Sequence, residues 1–371
     1  MWIHYLTNTN EPIGCDAIGA PLRFESDPIM NTAYDRDEDD SDEQKVQVIA
    51  KRVQCPRDGF QDSDIRRENS KKLPIRKWTY GNSSGICEGK DAQNCLPRFP
   101  LYKTFYNLFT AKSSKLGFCK VHKSASVVVI SIACLLNDPL KFLNRGKDLI
   151  ADAFDRQVQF NVQTAEENGV TTNEEWKLGF VIRDPLDRFL SAFTHLCLVG
   201  REKGCLHLCY DCGSNMTCFL DRLYLQLKNI ATNENATTHL IDNHLQPQSW
   251  FCELDTHFTN FTFLLYDSDS RKFYDNSLKP FLKSQNVSAD ALDFIGRSLT
   301  SARAQHSTTN FELKPFLKER ILRSSYLLEM FLRIYYHDYL MFNFTLPQIS
   351  QMNSTSLSKS NVQNNSSVSS L

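Results

Sequence analysis

The sequence predicts an α/β fold in which a parallel sheet is flanked by helices on both faces. Three observations predict it. Short apolar runs of strand length alternate with longer stretches whose apolar residues recur at helical spacing. The strand-like runs pass through short polar turns into helices, the pattern of βαβ units. At 371 residues the chain is long enough for one large domain or two modest ones with a sizeable core.

The elements follow in chain order. "LGFCKVH" (116–122) reads as a buried strand and "SVVVISIACLLND" (126–138) as the helix after it. "WKLGFVIRD" (176–184) is a second buried strand, and "PLDRFLSAFTHLCLV" (185–199) a helix with Pro185 suited to its first turn. "FTNFTFLLYD" (258–267) is a third strand. "LKPFLKSQ", "DALDFIGRSLTSARA" and "FLKERILRSSYLLEMFLRIYYHDYL" then carry apolar residues at helical spacing. Residues 91–347 are expected to form this folded domain. Residues 1–90 are expected to be weakly structured, with an acidic run at 34–45 and a basic one at 66–77. The Ser/Asn-rich tail, 348–371, is expected to be disordered.

With 42 basic against 43 acidic side chains, composition gives no case for a nucleic-acid partner, so any polyanion site must be a local patch. The chain has 12 cysteines, most of them between Cys87 and Cys252. It also has nine Asn-x-Ser/Thr sequons, at Asn82, Asn215, Asn235, Asn260, Asn286, Asn343, Asn353, Asn364 and Asn365. Together these favour the secretory pathway and a disulfide-bonded glycoprotein. Against that, the first 20 residues show no basic region followed by an apolar one, and no window has the length of a membrane span.

Two stretches carry the chemistry. The turn Lys123-Ser124-Ala125-Ser126 lies between a strand and a helix, where free backbone N–H groups and the helix dipole favour an anion. It has no glycine and lacks the G-x-x-x-x-G-K-[ST] pattern of a nucleotide kinase or triphosphatase, which argues against that class. In "RDPLDRFLSAF" (183–193), Arg183 ends a strand on the ligand side of the sheet and Ser191 follows eight residues later. A guanidinium grips phosphate in two-pronged fashion, and a hydroxyl adds a third bond. Read alone, the first stretch is better taken as an ordinary turn with a surface lysine. The second is equally an Arg–Asp pair closing a turn, with Asp184 capping the helix.

Taken together, in this order, the two resemble the nucleotide-binding elements of sulfotransferases. "HLCLVGREKGCLHLCYDCGSNMTCFLDRLY" (195–224), "HLQPQSWFC" (244–252), "SLTSARAQHSTTN" (298–310) and "RSSYLLEMFLRIYYHDYLMFNFTLP" (323–347) extend the likeness. They are similar to the nematode-type branch of the carbohydrate sulfotransferases, akin to the chondroitin, dermatan and HNK-1 enzymes. The resemblance covers about 95–347 and implies the P-loop-like sulfotransferase fold, which binds 3′-phosphoadenosine 5′-phosphosulfate (PAPS). It implies that Lys123, Ser124, Ala125 and Ser126 hold the 5′-phosphosulfate, and that Arg183 and Ser191 hold the 3′-phosphate. Arg303 and His306 would help shape the nucleotide or acceptor site.

The implied reaction is transfer of a sulfuryl group to a hydroxyl of a glycosaminoglycan-like glycan, as in chondroitin sulfate biosynthesis, without a metal. It would take place in the Golgi, where family members are held by a membrane helix that this sequence does not show. Lys123 would stabilise the leaving phosphate. For the general base, His244 of H-x-x-P-Q competes with Glu166, Glu167, Glu174 and Glu175, since no histidine lies between Lys123 and His195. His244 is equally read as a core histidine bonded to backbone.

The sequence departs from the family pattern in two places. Val127 stands where a threonine commonly follows the serine, and "NFELKPFLKER" (310–320) lacks a small-residue-plus-arginine pattern. An alternative reading follows from these departures: a catalytically weak or inactive paralogue that binds glycan or nucleotide. Among Cys197, Cys205, Cys209, Cys212 and Cys218, the Cys209-x-x-Cys212 spacing is that of half a zinc site. In an oxidising lumen disulfides bracing a loop insertion are expected instead, with pairings that sequence does not reveal.

Overall fold

A computed structural model of the chain describes residues 86–101, 108–144, 149, 159–160, 169–170, 174–199, 209–301 and 313–348. The expectations for the two termini fall almost wholly outside these residues.

The described strands are β1 (Leu108–Ala111), β2 (Leu116–Cys119), β3 (Gln159–Phe160), β4 (Lys177–Ile182) and β5 (Phe261–Leu265). They form one sheet in the order β3-β1-β2-β4-β5. The expected parallel strands are its centre and one edge, since β2 pairs parallel with β4 and β4 with β5. The other edge differs from expectation. β1 runs antiparallel to both β2 and β3, so the sheet is mixed. The β1–β2 connection is a tight 3-10 turn closed by Lys115 in the left-handed conformation, too short for a crossover helix.

Alternation along the strands sends side chains to two layers. Leu116, Phe118 and Val181 face a core shared with α1 (Ser126–Asn137) and the 273–299 region. Cys119, Leu178, Phe180 and Ile182 face the opposite side, against Phe251, Leu254 and Phe342. The glycine in β4 has a packing reason: a Cβ on Gly179 would meet the Phe281 ring at 3.0 Å.

A third, all-helical layer is built from α2 (Pro185–Phe193), α3 (Met216–Thr232), α4 (Leu240–Leu245), α6 (Leu313–Arg323) and α7 (Ser325–Met341), while α5 (Ala289–Ser301) packs with the sheet. Asp184 caps α2, its carboxylate accepting from Asp187 N at 2.8 Å, and Pro185 occupies the first turn as expected. The long apolar stretch 316–340 is two helices. Ser324 separates them and caps the second through Leu327 N.

Among the described residues, four disulfides join Cys87–Cys95, Cys119–Cys252, Cys197–Cys209 and Cys212–Cys218. Cys209 and Cys212 are therefore in separate bridges, and Cys205 lies outside the described residues. Among the described residues no helix is long and apolar enough to cross a membrane.

The Cys119–Cys252 bridge closes a separation of 133 residues, tying the end of β2 to the segment after H-x-x-P-Q. Removing it with Cys119→Ala/Cys252→Ala is expected to cost about 2–5 kcal/mol in urea unfolding. Removing Cys212–Cys218, with a separation of 6, should cost less. Equal unfolding midpoints for the two variants would contradict that assignment.

Candidate active site

The phosphate-type turn opens at the carboxyl end of β2. Lys123 and Ala125 both have positive φ, at 65° and 53°, a conformation that glycine adopts without strain. Two contacts to other segments hold it here. Lys123 O accepts from Arg183 Nη1 at 2.7 Å, and Ser124 Oγ, fully buried, donates to Gln248 Oε1 at 3.3 Å. Ala125 caps α1 with no side-chain hydrogen bond, so the first-turn amides of a 12-residue helix keep their anion-binding capacity. Ser126 and Val127 are the first two residues of that helix and are half-buried.

Gln248 joins this turn to the end of β4. Its Oε1 also accepts from Arg183 N at 2.9 Å, and its Nε2 donates to Arg183 O at 2.8 Å. Asp338 of α7, fully buried, fixes Gln248 in turn by accepting from Gln248 N at 2.6 Å and Ser249 N at 2.9 Å. The carboxamide thus matches the Arg183 peptide on one side and the Ser124 hydroxyl on the other.

The Arg183 guanidinium pairs with Asp187, not Asp184. Nε and Nη2 donate to Asp187 Oδ2 at 3.3 and 3.0 Å, and the group lies 4.6 Å from the Tyr266 ring centroid. Asp187 Oδ1 also accepts from Lys314 Nζ at 3.0 Å. Burial pushes the Asp187 carboxyl up, but the charges of Arg183 and Lys314 outweigh it and hold the group below its ordinary range. Ser191 is buried one turn beyond Asp187 on the same helix face. One further turn brings His195, in the π-helical segment Thr194–Val199, and its Nδ1 lies 2.6 Å from Lys123 Nζ. Ser191 therefore sits between the residue that holds Arg183 and the residue that holds Lys123.

Arg188, completely buried, spans the site from behind. Nε donates to His122 O at 2.9 Å and Nη2 to His244 O at 3.2 Å. The His122 and His244 rings stack with centroids 4.1 Å apart. His244 Nδ1 donates to Leu240 O at 2.8 Å, leaving Nε2 as its proton-accepting nitrogen. Burial and the Lys123 charge lower His244 to about 3. Burial, with His244 and Lys120 beside it, also holds His122 well below its ordinary value.

The disulfides brace these histidines. Cys197–Cys209 joins the segment carrying His195 to Tyr210, whose hydroxyl donates to Asp242 in the helix that carries His244.

The structure thus brings together Lys123, Ser124, Ala125, Ser126, Arg183, Ser191 and His244. Arg303, His306, Glu166 and Glu167 lie outside the described residues. Glu175 lies at the amino end of β4, paired with Lys115 at the amino end of β2, so it and the neighbouring Glu174 are across the sheet from the turn. Sequence reasoning missed His195, Asp187, Arg188 and Gln248. The i, i+4 spacing of Asp187, Ser191 and His195 was a readable signal. Among the described residues no cluster of His, Cys, Asp or Glu could hold a metal ion.

The depressed histidines have a consequence for stability. His122 and His244 are neutral when folded and take up protons near pH 6.5 when unfolded, so stability is complete above that pH and falls as pH drops through it. The urea midpoint should decline between pH 7 and 5.5, above the carboxylate range, and a His122→Asn/His244→Asn variant should flatten the decline.

Comparison with known proteins agrees with this geometry. A family model described as "Sulfotransferase family" matches residues 106–345. Three Caenorhabditis elegans proteins are similar. "Uncharacterized protein C18B2.2" is 28% identical over 77% of this chain and 81% of its own. The protein vep-2 is 27% identical over 68% and 80%, and "Carbohydrate sulfotransferase chst-1" is 28% identical over 63% and 74%. No solved structure matches the chain significantly. A family match over more than half of the chain, on a sheet whose strand ends carry two adjoining cationic elements, identifies this protein as a member of the sulfotransferase family.

Proposed function

We propose that this sulfotransferase uses PAPS as donor and a hydroxyl of a glycosaminoglycan-like glycan, such as chondroitin, as acceptor, and that it works in the Golgi lumen. The observation that carries the donor is the pair of cationic elements joined through Gln248. One has Lys123 and an uncapped helix start, and the other has Arg183 held by Asp187, with Ser191 one turn further along the same helix. This donor set fits a nucleotide with two separate anionic groups. The glycan acceptor is supported by the name of one relative, chst-1. The lumen is supported by the four disulfides among the described residues and by the exposed sequon asparagines Asn215, Asn235, Asn260, Asn286 and Asn343.

When bound, PAPS supplies the sulfuryl group and takes up the departing charge as 3′,5′-ADP. Lys123 presents an ammonium donor beside the helix start, where the amides of α1 are fixed dipoles needing no reorganisation. Arg183 and Ser191 grip the second phosphate and so set the register of the first. His244, neutral and with Nε2 as its accepting nitrogen, would take the acceptor hydroxyl's proton once the donor's anionic groups offset the burial and the Lys123 charge that lower it to about 3. His195 holds Lys123 at the loop mouth.

A second reading is a binding protein with little turnover. It is favoured by the apolar Val127 in the first turn of α1, where a hydroxyl would add a donor.

Transfer of radiolabel from PAPS to a panel of desulfated glycans tests both readings. The wild type is expected to label at least one acceptor. Lys123→Ala should lower kcat at least about 100-fold, the usual loss for a donor aimed at developing charge. Arg183→Ala should weaken 3′,5′-ADP binding by about 1.5–3 kcal/mol. Nucleotide binding without any labelled acceptor would select the second reading, and absence of both would overturn each.

A further inference from the structure

We infer that Lys314, near the start of α6, is a further residue of the nucleotide's second phosphate site, paired with Arg183 across the Asp187 carboxylate. This inference rests on reading Arg183 as a 3′-phosphate ligand.

The argument begins with what one carboxylate holds. Asp187 Oδ2 takes two donors from Arg183 and Oδ1 takes one from Lys314 at 3.0 Å, so the two cations flank the same group. Neither cation is spent by this. Of the five guanidinium N–H groups, Asp187 takes two and Lys123 O a third. That leaves one on each Nη. Lys314 keeps two of its three ammonium protons. A phosphate has three terminal oxygens and accepts several donors at once. The charges point the same way: Arg183, Lys314 and Lys318 stand against the two carboxylates of Asp184 and Asp187, which leaves a net positive site. It is largely screened from water, since the Arg183 side chain is 8% and the Lys314 side chain 14% exposed. Burial and the Arg183 charge lower the Lys314 ammonium from its ordinary value, a strain that an incoming dianion would relieve. Asp187 acts as a fixed spacer, holding two like charges close enough to act as one clamp before any ligand arrives.

Lys314 comes from the stretch 310–320, which lacks the arginine expected of the family at that point in the chain. The helix brings its own cation to the same carboxylate that orients Arg183. Lys318, one turn along α6, also acts on Asp184 electrostatically, so this helix turns a basic face to the start of α2.

The rival explanation is a tether: Lys314–Asp187 would only dock α6 on α2. Calorimetric titration of the full chain with 3′,5′-ADP, and with adenosine 5′-phosphate lacking the 3′-phosphate, separates the two. Lys314→Met is expected to weaken 3′,5′-ADP roughly 10- to 100-fold, as loss of a charge-assisted hydrogen bond warrants, and to leave adenosine 5′-phosphate unchanged. Lys314→Arg should recover most of the loss. Should Lys314→Met not fold, Lys314→Gln, uncharged but still a donor, is expected to show the same selective loss. Unaltered 3′,5′-ADP binding, or equal weakening of both nucleotides, would overturn the role of Lys314. A wild type that does not prefer 3′,5′-ADP over adenosine 5′-phosphate would instead overturn the reading of Arg183, and the inference with it.

Discussion

The site depends on one side-chain carboxamide. Gln248 accepts from Arg183 N and Ser124 Oγ and donates to Arg183 O, and it is itself locked by Asp338. A buried amide that meets three of its four hydrogen-bonding options with two different segments fixes their spacing, because each bond lost would leave a buried polar group unsatisfied. The turn after β2 and the end of β4 are 60 residues apart in sequence, and Arg183 Nη1 to Lys123 O closes the same junction from the other side. That closure lets Lys123 and Ala125 keep positive φ without glycine.

Electrostatics then divides the site into roles. Three of its described cations have an internal partner that orients them: His195 for Lys123, and Asp187 for Arg183 and Lys314. Behind them Arg188 binds two carbonyls, and His122 and His244 are kept neutral by burial among positive neighbours. A surface of preformed donors backed by unprotonated imidazoles suits a reaction in which an anion is held and a hydroxyl proton is removed. The disulfides serve this arrangement directly. Cys119–Cys252 pins the end of β2 to the Gln248 segment, and Cys197–Cys209 ties the His195 turn to the support of His244.

What could be read from the sequence follows the strength of local signals. The β2–turn–α1 unit and the β4–α2 unit were legible because long apolar runs flank a polar turn, and because Arg183 and Ser191 are close in sequence. The antiparallel β1 was not, since four residues carry too little periodicity to declare a strand. Nor was the break at Ser324, where apolar spacing continues through a capping residue. His195 went unseen as a site residue because its partner, Lys123, is 72 residues away, and Gln248 because its partners, the Arg183 peptide and the Ser124 hydroxyl, are brought near only by the fold. Disulfide pairing was hidden for the same reason, as one bridge spans 133 residues.

The claim that a single carboxamide sets the register of both cationic elements is tested most directly on Gln248→Leu. The measurement is calorimetric affinity for 3′,5′-ADP on protein that still melts cooperatively. The account predicts a loss of about 1–3 kcal/mol in binding, as both elements shift together. Wild-type affinity in that variant would contradict it.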